Sequence, residues 1–171
     1  LMVPRPLAAE LFGMSPRDPR YVARLASWSQ RQSATIEGLF SSPIVDGAQD
    51  RIVEVIDHLT SSYALHGLHL DYIRYPSPEF DCSRVALEAF RDAVVPELTP
   101  TELASLDARA ARDPLAFVQD YPSRWLAFRR ERLTQLVTRI RDRARRHRPG
   151  VRLTAAVWPD PVYARDHKLQ D

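Results

Sequence analysis

"HGLHLDYIRYP", residues 66–76, starts as a short apolar strand and ends in an acid, two tyrosines, an arginine and a proline. Side chains on a strand alternate between its two faces. Leu68 and Leu70 therefore share one face, and His69 and Asp71 share the other. With the leucines packed beneath helices, His69 and Asp71 face the centre of a sheet or barrel. Asp71 then closes its strand at the carboxyl end, where α/β folds build their sites. Pro76 ends the run and leaves Tyr72, Arg74 and Tyr75 around the rim. The same residues also suit a plainer reading: Asp71 and Arg74 as a structural ion pair or a loop cap, and His69 as a satisfied core histidine.

Working outward, "VRLTAAVW" from Val151 is a second strand, bounded by Pro159 and Pro161. Residues 67–72 and 151–157 are expected to pair in parallel as neighbours. Ile36 to Phe40 is a weaker strand candidate. Asp18 caps a helix with Pro19 at its first position, and Asp46 caps another that runs to about Tyr63 with Ile52, Val55, Ile56 and Leu59 as its apolar stripe. Residues 82–120 are helical but broken, with Pro96, Pro100 and Pro114 as stops. "YPSRWLAFRRERLTQLVTRIRDRARRHRPG" is one long amphipathic helix lined by Trp125, Phe128, Leu133, Leu136, Val137 and Ile140. Residues 1–20 form a covering loop with one helical turn around Leu7 to Leu11. Strand, helix, strand, helices, strand is the order of α/β units around a parallel sheet. So few strands do not finish a sheet, and the rest is expected from residues beyond this chain.

Composition narrows the field. At 171 residues, with 44% hydrophobic and 27% charged residues, the chain can build one core of ordinary globular type. No run reaches the roughly 18 apolar residues of a membrane span. The sequence contains no signal peptide, and with Met2 opening a Pro-rich stretch the chain reads as an internal piece. Cys82 is the single cysteine, so no internal disulfide or cysteine-cluster metal site is available. His147 and His167 lack metal-ligand spacing, and neither a metal nor a cofactor is assigned. The net charge of +2 selects no partner. Nine arginines decorate the long helix from Arg129 to Arg148, but they alternate with its apolar stripe. A solvated outer helix face fits them better than a nucleic-acid surface.

"YALHGLHLDYIRYP" resembles the signature of the glycosyl hydrolase-like 10 family, a (β/α)8-barrel group. In that family a helix beginning near a Ser-Pro or Asn-Pro pair leads into "YxVDGIHLDYIRYP". Here "SSPIVDGAQDRIVEVIDHLTSSYALHGLHLDYIRYP" follows the same course. "WLAFRRERLTQLVTRI", "RLTAAVWPDP" and the terminal "QD" match in order and approximate spacing. The match covers residues 38–171 best, with residues 1–37 leading into it. His66 stands where the family usually has Asp before the glycine.

The resemblance implies that the chain, residues 1–171, is the central part of one TIM barrel. It would hold about the fourth and fifth strands, with three strands before Leu1 and three after Asp171. Such a slice has open strand edges and is expected to be poorly stable alone. By the same resemblance the full-length protein is a bacterial glycosidase acting on a carbohydrate, in an extracellular or periplasmic setting, and the slice alone is inactive. Asp71 corresponds to the nucleophile that closes the fourth strand, and its partner carboxyl would come from a later strand. Arg74 would orient Asp71 and keep it anionic for attack. His69 shares the Asp71 face, and Trp158 and Tyr75 would stack on sugar rings. Trp125 and Arg129, near the start of the long helix, are further substrate-binding candidates. The rival is a carbohydrate- or cell-wall-binding barrel without catalysis, which a missing second acid would favour.

Overall fold

A computed structural model describes residues 1–170. Asp171, the end of the terminal Gln-Asp pair, lies outside the described residues. The elements in order are α1 (Ala8–Phe12, entered through a 3-10 turn), α2 (Pro19–Arg31), α3 (Asp46–Ser62), β1 (Gly67–Leu70), α4 (Arg84–Val94), α5 (Pro100–Ala110), α6 (Ala116–Asp120), α7 (Pro122–His147), β2 (Arg152–Ala155) and α8 (Pro161–His167). They fall into two compact units: residues 1–41 with 79–128, and residues 42–78 with 129–171.

The first unit is helical. Val3, Leu7, Leu11, Tyr21 and Leu25 form one buried cluster, with Met14 and Trp28 against it. Its helices start where caps absorb their unpaired N–H groups. Asp18 accepts from Arg20 N–H ahead of α2, and Thr99 with Glu102 forms a reciprocal capping box on α5. Asp81 is fully buried, and its carboxylate accepts from the N–H groups of Val3 and Ser83, both at 2.8 Å. Burial without those donors would cost several kcal/mol, roughly the price of a buried unsatisfied polar group. Bidentate contacts of Arg91 with Asp107 join α4 to α5, at 2.8 Å for each oxygen.

The second unit carries the sheet. β1 and β2 pair in parallel, with Gly67 opposite Arg152, Leu68 opposite Leu153, His69 opposite Thr154 and Leu70 opposite Ala155. Gly67 has a structural reason: a Cβ there would come within 3.1 Å of the Arg152 carbonyl oxygen. Leu68, Leu70, Leu153 and Ile73 pack on Ile56 of α3 and on Leu136, Ile140 and Ala144 of α7. The opposite face keeps His69 and Thr154 exposed. The expected alternation is thus present, with leucines under helices and polar groups on the other side.

Four expectations need correction. The strand at 67–72 stops at Leu70, because Tyr72 takes a left-handed backbone (φ 53°) that turns the chain out of the sheet. The second strand is likewise four residues long, closed by the Ala156 N–H to Leu70 carbonyl bond at 2.9 Å. Residues 36–40 form no strand. Ile36 N–H continues the turn after α2 by donating to the Gln32 carbonyl, and Gly38 at φ 138° breaks the extended run. Finally, α3 is capped by Val45, and Asp46 is its first helical residue.

The stripe of α3 is also rotated from expectation. Gln49, Val53, Ile56 and Thr60 are buried, while Val55 is exposed. Two polar residues fit this stripe because their groups are satisfied. The Gln49 amide donates to the Pro43 carbonyl at 2.6 Å, and the Thr60 hydroxyl donates to the Ile56 carbonyl at 2.8 Å. The arginines of α7 do more than face water. Arg139 donates to Gln49 and Asp50 and Arg143 to Asp57, while Arg148, just past the helix, donates to the carbonyls of Thr60 and Tyr63. They clamp α3 to α7.

Candidate functional site at the carboxyl end of the parallel strands

In the second unit the chain leaves β1 and β2 side by side, and the exits are tied together. Asp71, the first residue past β1, is exposed. Its Oδ1 accepts from Tyr72 N–H at 2.9 Å, which supports the turn at Tyr72. Oδ2 has no protein partner among the described residues. His69 lies two residues earlier on the open face of the sheet, with Nδ1 2.9 Å from Thr154 Oγ1. The Thr154 hydroxyl donates to the Leu68 carbonyl at 3.4 Å. Nδ1 is thus engaged with Thr154, and Nε2 is the ring nitrogen with no protein partner among the described residues.

Arg74 does not pair with Asp71: no ion pair or hydrogen bond joins them among the described residues. Its guanidinium instead lies over the Tyr72 ring, 4.7 Å from the centroid, and 5.9 Å from the Trp158 ring centroid. The geometry is that of cation–π contact. Of the two plainer roles for Asp71, the loop cap is present and the ion pair is not.

Tyr75 is completely buried. Its hydroxyl donates to the Arg129 carbonyl at 3.3 Å, and its N–H donates to the Lys168 carbonyl at 3.1 Å. Arg129 is buried as well and donates to the Pro78 carbonyl at 2.7 Å, with its guanidinium 5.7 Å from the Tyr75 ring. Tyr75 and Arg129 thereby anchor the segment that follows Asp71 onto α7. Trp158, 38% exposed, follows β2. Trp125 belongs to the first unit, where it is 2% exposed and packs on Phe90 and Phe128 at centroid distances of 5.0 and 5.9 Å. The structure therefore groups His69, Asp71, Arg74, Tyr75, Arg129 and Trp158 in one unit and makes Trp125 part of the other unit's core.

Two buried polar residues near the chain's end hold this site and were not foreseen. The Lys168 ammonium donates to the Pro76 carbonyl at 2.7 Å and lies 5.3 Å from the Trp158 ring centroid. The Gln170 amide donates to the carbonyls of Ile73 at 3.3 Å and Ala156 at 3.0 Å, and its oxygen accepts from Trp158 N–H at 3.3 Å. One carboxamide thus bridges the exits of both strands. The sequence held two signals: Lys168 is the only lysine among 24 basic residues, and Gln170 opens the matched terminal pair.

Beside the exit of β2 lies an apolar groove of about 140 Å³, lined among others by Ile73, Leu133, Val137 and Val157. Val157 is 64% exposed.

The family model for glycosyl hydrolase-like 10 matches residues 8–171. The chain belongs to the glycosyl hydrolase-like 10 family. No curated protein and no solved structure matches it. Both α1 and α2 lie within the matched residues. Among the described residues no helix is long and apolar enough to cross a membrane.

Proposed function

We propose that this chain is the central part of a (β/α)8 barrel with glycoside hydrolase activity, in which Asp71 is the nucleophile. β1 and β2 would be about the fourth and fifth strands. Three features support the barrel reading: parallel pairing, helices α3 and α7 against one face only, and an apolar groove with exposed Val157 beside β2. Two strands cannot close a barrel, so further strands and the second carboxyl group would come from outside this chain.

The observation that carries the catalytic reading is the state of Asp71. It is exposed at the carboxyl end of a parallel strand, with Oδ1 held by Tyr72 N–H and Oδ2 without a protein partner among the described residues. In the proposed step Oδ2 attacks the anomeric carbon, the glycosidic C–O bond breaks, and the second carboxyl protonates the departing oxygen. Water, deprotonated by that same group, then releases the sugar from Asp71. A carboxyl separation of roughly 5 Å goes with this direct attack, against roughly 6.5–9.5 Å where water attacks instead. His69, through Nε2, and the half-exposed rings of Tyr72 and Trp158 are the groups that would bind the sugar.

The test is Asp71→Asn in the complete protein. The amide still accepts from Tyr72 N–H but cannot attack. Glycan affinity and melting temperature are expected to stay, while turnover falls by several orders of magnitude. Full turnover in a folded Asp71→Asn protein removes Asp71 from the mechanism.

A further inference from the structure

On the open face of the sheet, one side chain is held by its neighbour on the other strand. His69 and Thr154 stand opposite each other in the parallel ladder, with Nδ1 2.9 Å from Thr154 Oγ1. That hydroxyl has a fixed place. Threonine branches at Cβ, which restricts χ1, and its oxygen also reaches the Leu68 carbonyl at 3.4 Å. The register beneath it is closed at both ends. Arg152 N–H donates to the His66 carbonyl at 3.1 Å, and Ala156 N–H donates to the Leu70 carbonyl at 2.9 Å. Thr154 is therefore carried by regular structure and not by a loop, the better support for a precise contact.

As a stabilising pair this contact does little. Both side chains are exposed, so water competes for each polar group, and loss of the contact leaves neither one buried and unsatisfied. Its consequence is for the ring. A free imidazole turns about two side-chain bonds, and the second is broad. Anchored through Nδ1, the ring keeps one orientation, and Nε2 is left as the nitrogen without a protein partner among the described residues. His69 and Asp71 are two residues apart on the same face, about 6.6 Å along an extended chain. A pyranose ring spans a comparable distance, so a sugar seated at Asp71 brings a hydroxyl within reach of Nε2.

We propose that Thr154 is a positioning residue: it fixes the His69 ring so that Nε2 meets a hydroxyl of the sugar bound at Asp71. The proposal rests on the glycoside reading above and adds a residue from the second strand, which acts only through His69. The contact with the sugar is present before and during the attack, so its loss weakens binding and leaves the chemical step alone. Freeing one side chain that must be ordered again on binding costs about three- to tenfold in affinity.

The experiment uses the complete protein with labelled histidine, its variants Thr154→Val and Thr154→Ser, and His69→Ala with and without Thr154→Val. Valine keeps the branched shape that strands favour, so the melting temperature should hold. In the wild type the His69 ring is expected to be rigid by NMR relaxation, with an order parameter of about 0.85, and in Thr154→Val it should fall below about 0.6. Kinetics follow on 4-nitrophenyl glycosides of the common hexoses, pentoses and N-acetylhexosamines in both anomers. KM should rise about three- to tenfold in Thr154→Val with kcat little changed, and Thr154→Ser should restore most of it. In the His69→Ala background, Thr154→Val should add nothing. A ring as rigid in Thr154→Val as in the wild type overturns the proposal, and so does an unchanged KM. A further rise in KM in the double variant also overturns it, since Thr154 would then act without His69. In each of those cases the glycoside reading stands, whereas no turnover of any probe removes both.

Discussion

The two units use their aromatic residues in opposite ways. In the first, Tyr21, Phe90, Phe117 and Trp125 are buried, and Trp125 packs against both Phe90 and Phe128. In the second, Tyr72, Trp158 and Tyr163 stand partly in water, in contact with one another through Arg74 or directly. Both kinds of ring follow apolar stretches in the sequence, yet only the second kind is available to a ligand. A buried ring contributes to stability through the area it removes from water. An exposed ring contributes little to folding and keeps its face for binding. The comparison separates rings that hold the protein together from rings that the proposed glycan reading would use.

Truncating the buried tryptophan is the harshest way to test that division. Trp125→Ala is expected to cost about 3–5 kcal/mol of stability, read as a lower denaturant midpoint, with any activity lost only in proportion to the folded fraction. A loss of glycan affinity in folded Trp125→Ala protein would show that the division is drawn in the wrong place. Gln170→Ala comes next. It removes the bridge between the two strand exits and leaves the carbonyls of Ile73 and Ala156 without that donor. The cost is about 1–3 kcal/mol, and amide exchange at Trp158 should quicken. Unchanged exchange at Trp158 would mean that Gln170 does not hold the site.

Trp158→Ala reverses the pattern of Trp125→Ala. As a partly exposed surface ring it should shift stability by only about 0.5 kcal/mol, while glycan affinity drops. The smallest effect belongs to Asp57, whose carboxyl is held below its ordinary value by hydrogen bonds from His147 and Arg143. A depressed carboxyl stabilises the fold above about pH 4, its unfolded value, and loses that contribution as pH falls through the folded one. All three groups are solvent-accessible, so only a shallow slope is expected. Melting temperature measured against pH should lose part of its acid limb in Asp57→Asn, and an unchanged acid limb would show that the cluster is idle.

The parallel strand pair could be read in advance because Leu68 and Leu70 alternate with His69 and Asp71, a local pattern. Its length could not. Tyr72 adopts a left-handed conformation that a non-glycine residue signals in no visible way. The long helix was legible throughout, from Pro122 to His147, but the partners of its arginines on α3 depend on packing. Tyr75 and Arg129 read as rim residues, and burial turned them into anchors. Lys168 and Gln170 reach the exit of β1 from more than ninety positions away in sequence. Contacts of that range leave no periodicity, and only residue identity hinted at them.

The central claim is that Asp71 is the attacking group, and the direct measurement is the mass of its peptide. The complete protein would be quenched in acid during turnover of a glycan that it cleaves, digested, and mapped by mass spectrometry. The account predicts a sugar adduct on the peptide containing Asp71, absent from Asp71→Asn protein. An adduct on a different carboxylate, or turnover with inversion at the anomeric carbon and no adduct at all, would contradict it.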